Sequence, residues 1–400
     1  MASLAVVLII LGCVAYQYFK GTFVRAFASI IIAICASVAA FAFFESLANV
    51  FISRGDDSKF LSLVPWAQMF CFVLLFILVF AGLQTAMMQL TRRPVDLGFL
   101  AERAGRVVCG ILLGLFLSGL LLTALEMAPL PVKYPYQRFG TDGSRNKVLP
   151  NADGLVTGLF GIISRGSLSG KRSFATIHPD YLDQLFLNRL ISGTSTLTSS
   201  TPAIILPKQA VWPVPENLKS QVDEIISELN RTGKLTDKST GKSIPMPRTL
   251  SSNYEPTIVR VGISNRALRP KATINGGAFI LPQLRLICKQ KGYGENPLAG
   301  TGINIYPIGH LKAADQIQVS TEMKISSSDF KGNAKEMWID FVFCVPKGFV
   351  PVLVEFKQNS IAEISARSIV TAEKAPPPEF FDQSTKDTKK STKPTYRPTN

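Results

Sequence analysis

Two histidines, His178 and His310, are the residues of this chain best suited to general acid–base catalysis. A serine hydrolase sets its histidine between a carboxylate and a serine, and many hold that serine in a G-x-S-x-G turn. The chain lacks this turn sequence, His178 directly precedes Pro179 as a surface or capping residue, and His310 follows Gly309 at a predicted strand end. We therefore predict no catalytic residue and no enzymatic activity.

The remaining polar motifs do not match a metal, cofactor or nucleic-acid site. No His or Cys pair has the spacing of metal ligands, and the stretch GSLSGKR at 166–172 lacks the spacing of a phosphate-binding loop. Lysines and arginines are not interleaved with aromatic residues as they are in proteins that bind RNA or DNA. The sequence thus predicts no metal, no cofactor and no nucleic-acid partner.

Cysteine placement differs between the two parts of the chain. Cys288 and Cys344 each end a strand-like run, and they could form one disulfide if they lie outside the cytoplasm. The other four lie in apolar runs, where a free thiol behaves as a small hydrophobic group. These four are Cys13, Cys35, Cys71 and Cys109.

Charged residues are scarce before residue 131 and frequent after it. Residues 1–130 contain 8 Lys or Arg and 6 Asp or Glu, whereas residues 131–400 contain 35 and 22. Of the net charge of +15, the second part carries +13. That charge suits contact with anionic lipid or a polyanionic wall polymer, although solubility and a basic tail also account for it. The boundary near Leu130 separates a membrane region from a soluble one.

Four apolar stretches in the first part are long enough to cross a bilayer, which takes about 20 residues in a helix. The first lacks the basic start and cleavage site of a secretion signal, so we interpret it as a span. A polar loop is predicted from Glu45 to Leu63. The predicted spans are residues 1–19, Ala26–Phe44, Trp66–Met88 and Val107–Met127.

Small residues recur at every fourth position in two of these spans, which lets helix backbones approach closely in lipid. We predict that the two stripes pack on one another or support a homo-oligomer. They consist of Ser29, Ala33 and Ser37 in the second span and Gly110, Gly114 and Ser118 in the fourth. Glu126, at the end of the fourth span, is predicted to lie among wet lipid headgroups.

The lysines and arginines of the short connections predict the orientation, because positive residues stay on the cytoplasmic side. The first and third connections together carry six of these residues: Lys20, Arg25, Arg92, Arg93, Arg103 and Arg106. The middle connection carries two, Arg54 and Lys59. Both ends of the chain would then lie outside the cytoplasm. The basic residues that follow the fourth span argue for the opposite orientation.

The soluble part is predicted to be mostly β. A connecting region, 131–255, contains two amphipathic helices, Pro179–Leu190 and Pro215–Arg231. Period-two alternation over 256–371 then predicts an antiparallel, immunoglobulin-like sandwich, and 372–400 is a basic tail too polar to fold. The seven predicted strands are Thr257–Ile263, Ala278–Gln290, Gly302–Tyr306, Gln316–Ile325, Glu336–Val345, Val350–Phe356 and Ile361–Ser365. The predicted fold class is an all-α four-helix transmembrane bundle over 1–130 followed by this β-sandwich.

Two segments of the membrane region carry a family resemblance. The sequence KGTFVRAFAS opens the second span, and a glycine-rich approach leads into the fourth. The residues involved are Lys20, Gly21, Arg25, Asp96, Gly98, Gly105, Arg106, Gly110 and Gly114. In this respect the chain resembles the colicin V production (CvpA) family of bacterial inner-membrane proteins over residues 1–130, and it departs from the simple family pattern by some 270 further residues.

The resemblance implies a multi-pass protein of the bacterial inner membrane with a role in toxin production or export, or in envelope homeostasis. Some relatives carry an extracytoplasmic serine protease after the spans, but the histidines here do not fit one. We expect the lipid bilayer and an envelope protein or anionic polymer as partners. The alternative is a channel or transporter subunit built on the small-residue faces, although the second span holds no charge from Ala26 to Phe44 that could carry ions.

Overall fold

The structure is a computed structural model that describes residues 2–55, 63–90, 98–140, 144–166, 173–190, 203–246, 253–268, 277–292, 300–330, 334–357 and 360–382. It divides into two compact units. The helical unit comprises Met1–Gly140, Arg145–Thr194 and Leu298–Gly302, and the β-rich unit comprises Thr141–Ser144, Ser195–Pro297 and Ile303–Asn400. The predicted connecting region, 131–255, is therefore shared between the two units.

In the described part of the helical unit, four helices are long and apolar enough to cross a membrane, which confirms the membrane character of this region. Three shorter helices follow them among the same residues. The helices are α1 (Ala2–Lys20), α2 (Phe23–Gly55), α3 (Ala67–Leu90), α4 (Phe99–Met127), α5 (Ala152–Arg165), α6 (Phe174–Ile177) and α7 (Tyr181–Leu190). The predicted helix Pro179–Leu190 is confirmed as α7, whereas α5 was not predicted.

Helix α2 continues beyond the predicted span end at Phe44 and replaces the first half of the predicted loop. Ala48 and Ile52 lie on the core side of this extension and are buried, at 0% and 3% exposure. The continued helical spacing of apolar residues extends the helix despite Glu45 and Asn49, because each added turn buries more of the same face. The later part of the predicted loop, 56–62, lies outside the described residues.

Aromatic side chains join the shorter helices to the membrane helices. The ring of Phe41 on α2 lies 4.7 Å from that of Phe160 on α5 and 4.9 Å from that of Phe72 on α3, centroid to centroid. Phe174 and Tyr181 pack on the same cluster at 5.5 and 6.3 Å from Phe41. These ring contacts make α5 to α7 part of the helical core.

The glycines of α4 pack against α1 rather than against the small-residue stripe of α2. A Cβ added at Gly114 would lie 2.6 Å from Ile10 Cα, and one at Gly110 would lie 2.7 Å from Val14 Cα. Only residues without a side chain permit backbones this close. The remaining stripe residues, Ser29, Ala33, Ser37 and Ser118, are all buried. Each of the three serine hydroxyls donates to a backbone carbonyl of its own helix.

The β-rich unit contains a six-stranded and a four-stranded antiparallel sheet. The first has the order β1-β5-β12-β9-β10 with β2 also on β5, and the second has the order β14-β13-β7-β8. Two further two-stranded pairs, β3-β4 and β6-β11, lie among the described residues of this unit. The strands are β1 (Ile204–Ile205), β2 (Val211–Pro213), β3 (Lys234–Thr236), β4 (Ser243–Pro245), β5 (Tyr254–Ser264), β6 (Gly277–Phe279), β7 (Leu284–Gln290), β8 (Ile303–Ile305), β9 (Gly309–Ala313), β10 (Gln316–Gln318), β11 (Met323–Ile325), β12 (Glu336–Pro346), β13 (Phe349–Phe356) and β14 (Ser360–Glu363).

Apolar residues of the two sheets meet in one core. Phe341 and Val261 of the larger sheet and Leu284 and Phe356 of the smaller one line the same small apolar cavity. Helix α8 (Glu216–Thr232), the predicted Pro215–Arg231 helix, packs its apolar face on β-strand residues of the larger sheet. The mostly-β class is therefore confirmed.

Two of the predicted strands are interrupted, and five observed strands were not predicted: β9, and β1 to β4 within the connecting region that was expected to contain only helices and irregular chain. Within Ala278–Gln290, a 3-10 turn at Leu281–Gln283 separates β6 from β7. Its Pro282 cannot donate to a strand ladder, which explains the break. The predicted strand Gln316–Ile325 likewise divides into β10 and β11, which pair with different strands.

Each sheet also carries a buried charge pair on directly opposed residues. Asp340 is the register partner of Arg260, and the two form a bidentate pair with N–O distances of 2.6 and 2.8 Å. Glu355 is likewise opposite Arg285 and ion-pairs with it. Cross-strand pairing satisfies charges that would be costly to bury alone, so these strands tolerate ionised residues inside the unit.

The disulfide considered for the soluble part is not formed. Cys288 on β7 and Cys344 on β12 lie in different sheets, and both are buried free thiols. Burial raises the pKa of each thiol, so both stay protonated at neutral pH.

Candidate functional site

A cavity of about 380 Å³ lies within the helical unit beside α5. Four cationic side chains line it, namely Arg138, Arg145, Lys147 and Arg165. Asp180 is the one carboxylate among its described lining residues. We call it the cationic cavity, and its excess of positive charge suits an anion.

A short antiparallel contact holds the first two arginines of the cationic cavity together. Phe139 bridges to Arg145, and Asn146 N donates to Arg138 O at 2.7 Å. Both guanidinium groups thereby reach Asp183 on α7, with Arg138 Nε 2.8 Å from Oδ1 and Arg145 Nη2 2.8 Å from Oδ2. The Asp183 side chain is only 1% exposed, so one buried carboxylate positions two cations.

Asp183 also stabilises the charged form of Arg138. Burial by itself lowers the pKa of Arg138, but the adjacent Asp183 carboxylate raises it, and the net shift is upward. The guanidinium therefore keeps its proton at every physiological pH.

Lys147 and Arg165 are the two cavity-lining cations that form no ion pair with a carboxylate among the described residues. Among the described residues, no carboxylate lies within 4.0 Å of either side chain, whereas Arg145 also approaches Asp180 at 3.7 Å. Both residues are exposed. Their charge is thus available to an anion that enters the cavity.

Glycines on α5 give the cationic cavity its open wall. Gly154, Gly158 and Gly161 line it together with Arg165, and their spacing places all four on one helix face. A Cβ added at Gly158 or Gly161 would meet no atom within 4 Å. Packing therefore does not require glycine at these two positions, and the missing side chains leave room in the cavity.

His178 lines the same cavity and is buried, which corrects its interpretation as a surface residue. Its Nε2 lies 2.8 Å from a carboxylate oxygen of Glu45 on α2, and its Nδ1 lies 2.8 Å from Gln184 Oε1 on α7. The imidazole thus ties the chain before α7 to a membrane helix.

A second buried polar cluster lies at the end of α4. It includes Glu126, so the prediction that this residue lies among hydrated lipid headgroups is wrong. Glu126 is 3% exposed and Asp153 on α5 is 0% exposed. The Tyr136 hydroxyl donates to Asp153, and Arg138 Nη1 donates to that hydroxyl at 3.5 Å. Burial, followed by the carboxylates of Glu126 and Asp153, raises the pKa of Tyr136, so the phenol remains a donor.

The residues that carry the family resemblance meet at one corner of the helical unit. Gly21 lies in the turn between α1 and α2, where a Cβ would come within 2.8 Å of Gln17 O. A Cβ at Gly105 on α4 would lie 2.3 Å from the ring of Phe23 at the start of α2. Close packing at both glycines therefore joins the first turns of α4 to the α1–α2 turn.

Arg106 fastens this corner from the side of α4. Its Nη1 donates to Tyr18 O on α1 at 3.4 Å, and its Nη2 pairs with Glu102 one turn earlier. Lys20, the last residue of α1, and Arg25 on α2 are both exposed beside it. Asp96 lies outside the described residues.

Sequence reasoning did not find the cationic cavity. In the sequence alone, the basic residues from 138 to 147 bear only on the orientation in the membrane, and the pattern predicts no helix at α5. The available signal was the glycine spacing in ADGLVTGLFGIISR at 152–165, which favours an open helix face.

Four helices of membrane-spanning length and a β-rich unit define this chain as a membrane protein of mixed architecture. No protein-family model, curated protein or solved structure matches the chain.

Proposed function

We propose that this chain is a multi-pass protein of the bacterial inner membrane, of the colicin V production type, that anchors its β-rich unit as an interaction module outside the cytoplasm. The process it serves would be toxin production or export, or envelope homeostasis. The observation that carries the proposal is the combination of four apolar helices, long enough to span a membrane, with a β-rich unit in the same chain.

The corner at the α1–α2 turn supports the family part of this proposal. Gly21 comes from one segment of the resemblance, and Gly105 and Arg106 come from the other. The two glycines make contacts there that leave no room for a side chain, and Arg106 donates to Tyr18 O. A packing role of this kind gives a physical reason for the residue types at these positions.

The architecture of the β-rich unit supports a binding role. We propose that its two facing sheets form a sandwich of immunoglobulin-like general shape, and that its partner is an envelope protein or an anionic polymer. A homo-oligomer through the membrane helices is compatible with this role.

Topology mapping tests the location. Alkaline phosphatase and a fluorescent protein that matures only in the cytoplasm are fused in turn after Leu130 and in the connection near Arg92. We expect phosphatase activity only after Leu130 and fluorescence only near Arg92. The reverse pattern would refute the extracytoplasmic placement.

A second experiment separates the module from a channel. The purified chain is reconstituted into liposomes, and ion flux is compared between the unchanged chain and Arg25→Gln. Unchanged permeability, together with an envelope partner captured by crosslinking in cells, supports an anchored module. Selective flux that Arg25→Gln abolishes would establish the channel instead.

A further inference from the structure

We propose that the cationic cavity of the helical unit binds a phosphate-bearing anion, with the headgroup of an anionic phospholipid and a soluble phosphate ester as its two sources. The lipid source rests on the membrane placement made in the proposed function, whereas the soluble source does not. The charges and the shape of the cavity carry the rest.

The four cations of the cavity differ in whether a carboxylate neutralises them. Of the four cations, Arg138 and Arg145 share one buried carboxylate, Asp183, and are fixed by it. Lys147 and Arg165 have no carboxylate partner within 4.0 Å among the described residues. A ligand with more than one negative oxygen gains most here, because fixed guanidinium groups match phosphate oxygens and the lysine adds a mobile charge.

The volume of the cavity suits a small ligand. A volume of about 380 Å³ lies at the lower end of the range for small-molecule sites, roughly 300–1,000 Å³. The open faces of Gly158 and Gly161 provide part of this space, and the polar residues Thr157 and Asn151 also line it. The cavity thus has room for a phosphate group with an attached polar alcohol, and hydrogen-bonding groups to meet it.

Helix α5 carries exposed apolar residues next to the cavity. Successive residues of α5 are rotated by about 100°, so Leu155 and Ile162 form a stripe directly beside the glycine stripe. Leu155 is 44% exposed and Ile162 is 62% exposed, while Asp153, one of the two ionisable residues of α5, is buried. An apolar stripe next to a cationic cavity is the pattern of a helix at the lipid interface.

The start of α5 lies beside the membrane-spanning part of α4. A Cβ added at Gly119 would lie 2.2 Å from Ala152 O, the first residue of α5. Gly119 precedes the end of α4 at Met127 by about 12 Å along the helix axis. Helix α5 therefore begins at the depth of a candidate span and places Arg165 at its other end, as expected for a cavity at headgroup level.

The test uses the full-length chain purified in detergent. Native mass spectrometry measures retention of phosphatidylglycerol, and glycerol 3-phosphate serves as the soluble competitor. We compare the unchanged chain with Lys147→Gln/Arg165→Gln, which removes the two unpaired charges. The control, Lys133→Gln/Lys208→Gln, removes two exposed charges that do not line the cavity. A second variant, Gly161→Leu, fills the cavity without changing any charge.

We expect both cavity variants to weaken phosphatidylglycerol binding by about tenfold or more, and the control to bind as the unchanged chain does. Competition by glycerol 3-phosphate, with no preference for the lipid, would assign the soluble source and still support the cavity. Equal binding by all variants, or an equal loss in the control, would overturn the proposal. Extraction of the chain from cells by alkaline carbonate would instead refute its membrane placement, whatever the binding result.

Discussion

Asp183 determines the geometry of the cationic cavity at the level of single residues. It is the buried acceptor of two guanidinium groups, whereas Asp180, three positions earlier, lies 3.7 Å from Arg145 and is 34% exposed. The same carboxylate chemistry therefore has different consequences at the two positions, because water can replace the partner of an exposed charge but not of a buried one.

Substitution of Asp183 by Asn should destabilise the helical unit by about 3 kcal/mol, because it leaves the Arg138 guanidinium, whose side chain is only 12% exposed, beside a neutral amide. Asp180→Asn is the matched control and should cost about 1 kcal/mol or less. The midpoint of thermal unfolding of the detergent-solubilised chain measures both. Equal midpoints for the two variants would show that Asp183 is not the structural partner of these arginines.

His310 gives the β-rich unit a defined response to acid. It is fully buried on β9 with Nε2 3.0 Å from Phe381 O, and burial lowers its pKa from 6.5 to about 4. The unfolded chain therefore binds a proton that the folded unit excludes as pH falls below about 6.5. Stability is unaffected above that pH and is lost progressively down to about pH 4.

The predicted loss from His310 amounts to about 3 kcal/mol over this interval. His310→Gln should remove this component, so its unfolding midpoint should fall less between pH 6.5 and pH 4 than that of the unchanged chain. Tryptophan fluorescence follows the transition, since Trp212 and Trp338 both lie in the β-rich unit. Parallel pH profiles for the two proteins would contradict the assignment.

At the scale of elements, the contact between α1 and α4 depends on the absence of side chains. Gly114 and Gly110 bring the α4 backbone against Ile10 and Val14, so dispersion contacts replace the hydrophobic effect that lipid cannot supply. Gly82 on α3, by contrast, has open space where its Cβ would lie. Glycine is therefore required for helix packing at Gly110 and Gly114 but not at Gly82.

Gly114→Ala should lower the thermal midpoint of the chain, because the new Cβ would meet Ile10 Cα at 2.6 Å and force α1 away. Gly82→Ala should leave the midpoint unchanged or raise it, since Ala gains about 1 kcal/mol over Gly in a helix. Differential scanning fluorimetry in detergent compares the two variants. If Gly114→Ala were as stable as Gly82→Ala, α1 would not pack at this face.

At the scale of the whole molecule, all six cysteines are free thiols. Those of the β-rich unit are buried with raised pKa values, while Cys35 on α2 is exposed within a candidate span. The cysteines therefore report on both units at once.

Denaturation without a reducing agent, followed by maleimide labelling and intact mass measurement, should give six adducts per chain. In native membranes, we expect Cys288 and Cys344 to stay unlabelled, because their thiols are buried and protonated. Prior reduction is the control and should add nothing. Four adducts without reduction and six with it would show that a disulfide exists after all.

Local pattern was sufficient for much of the fold. The apolar runs predicted four membrane helices, and amphipathic spacing predicted α7 and α8 to within two residues of their observed ends. Alternation predicted the long strands β5 and β12. These features follow from which face of a segment is apolar, and neighbours in sequence decide that.

The cationic cavity could not be predicted in this way. Arg138 and Asp183 are distant in sequence, and so are Glu45 and His178, and only the packing of α5 to α7 onto the membrane helices brings them together. The partner of the α4 glycines was likewise undecided, because a small-residue stripe shows that a helix can approach but not which one.

Membrane entry by the first third of the chain and mostly strands in its last third follow from local sequence, because hydrophobic length and period act locally. Three features depend on the folded chain: α1 packs on the glycines of α4, the two cysteines of the β-rich unit lie in separate sheets, and four cations of the described residues line one cavity. Contacts between distant segments depend on the shapes of all the intervening elements, and no short stretch of sequence contains that information.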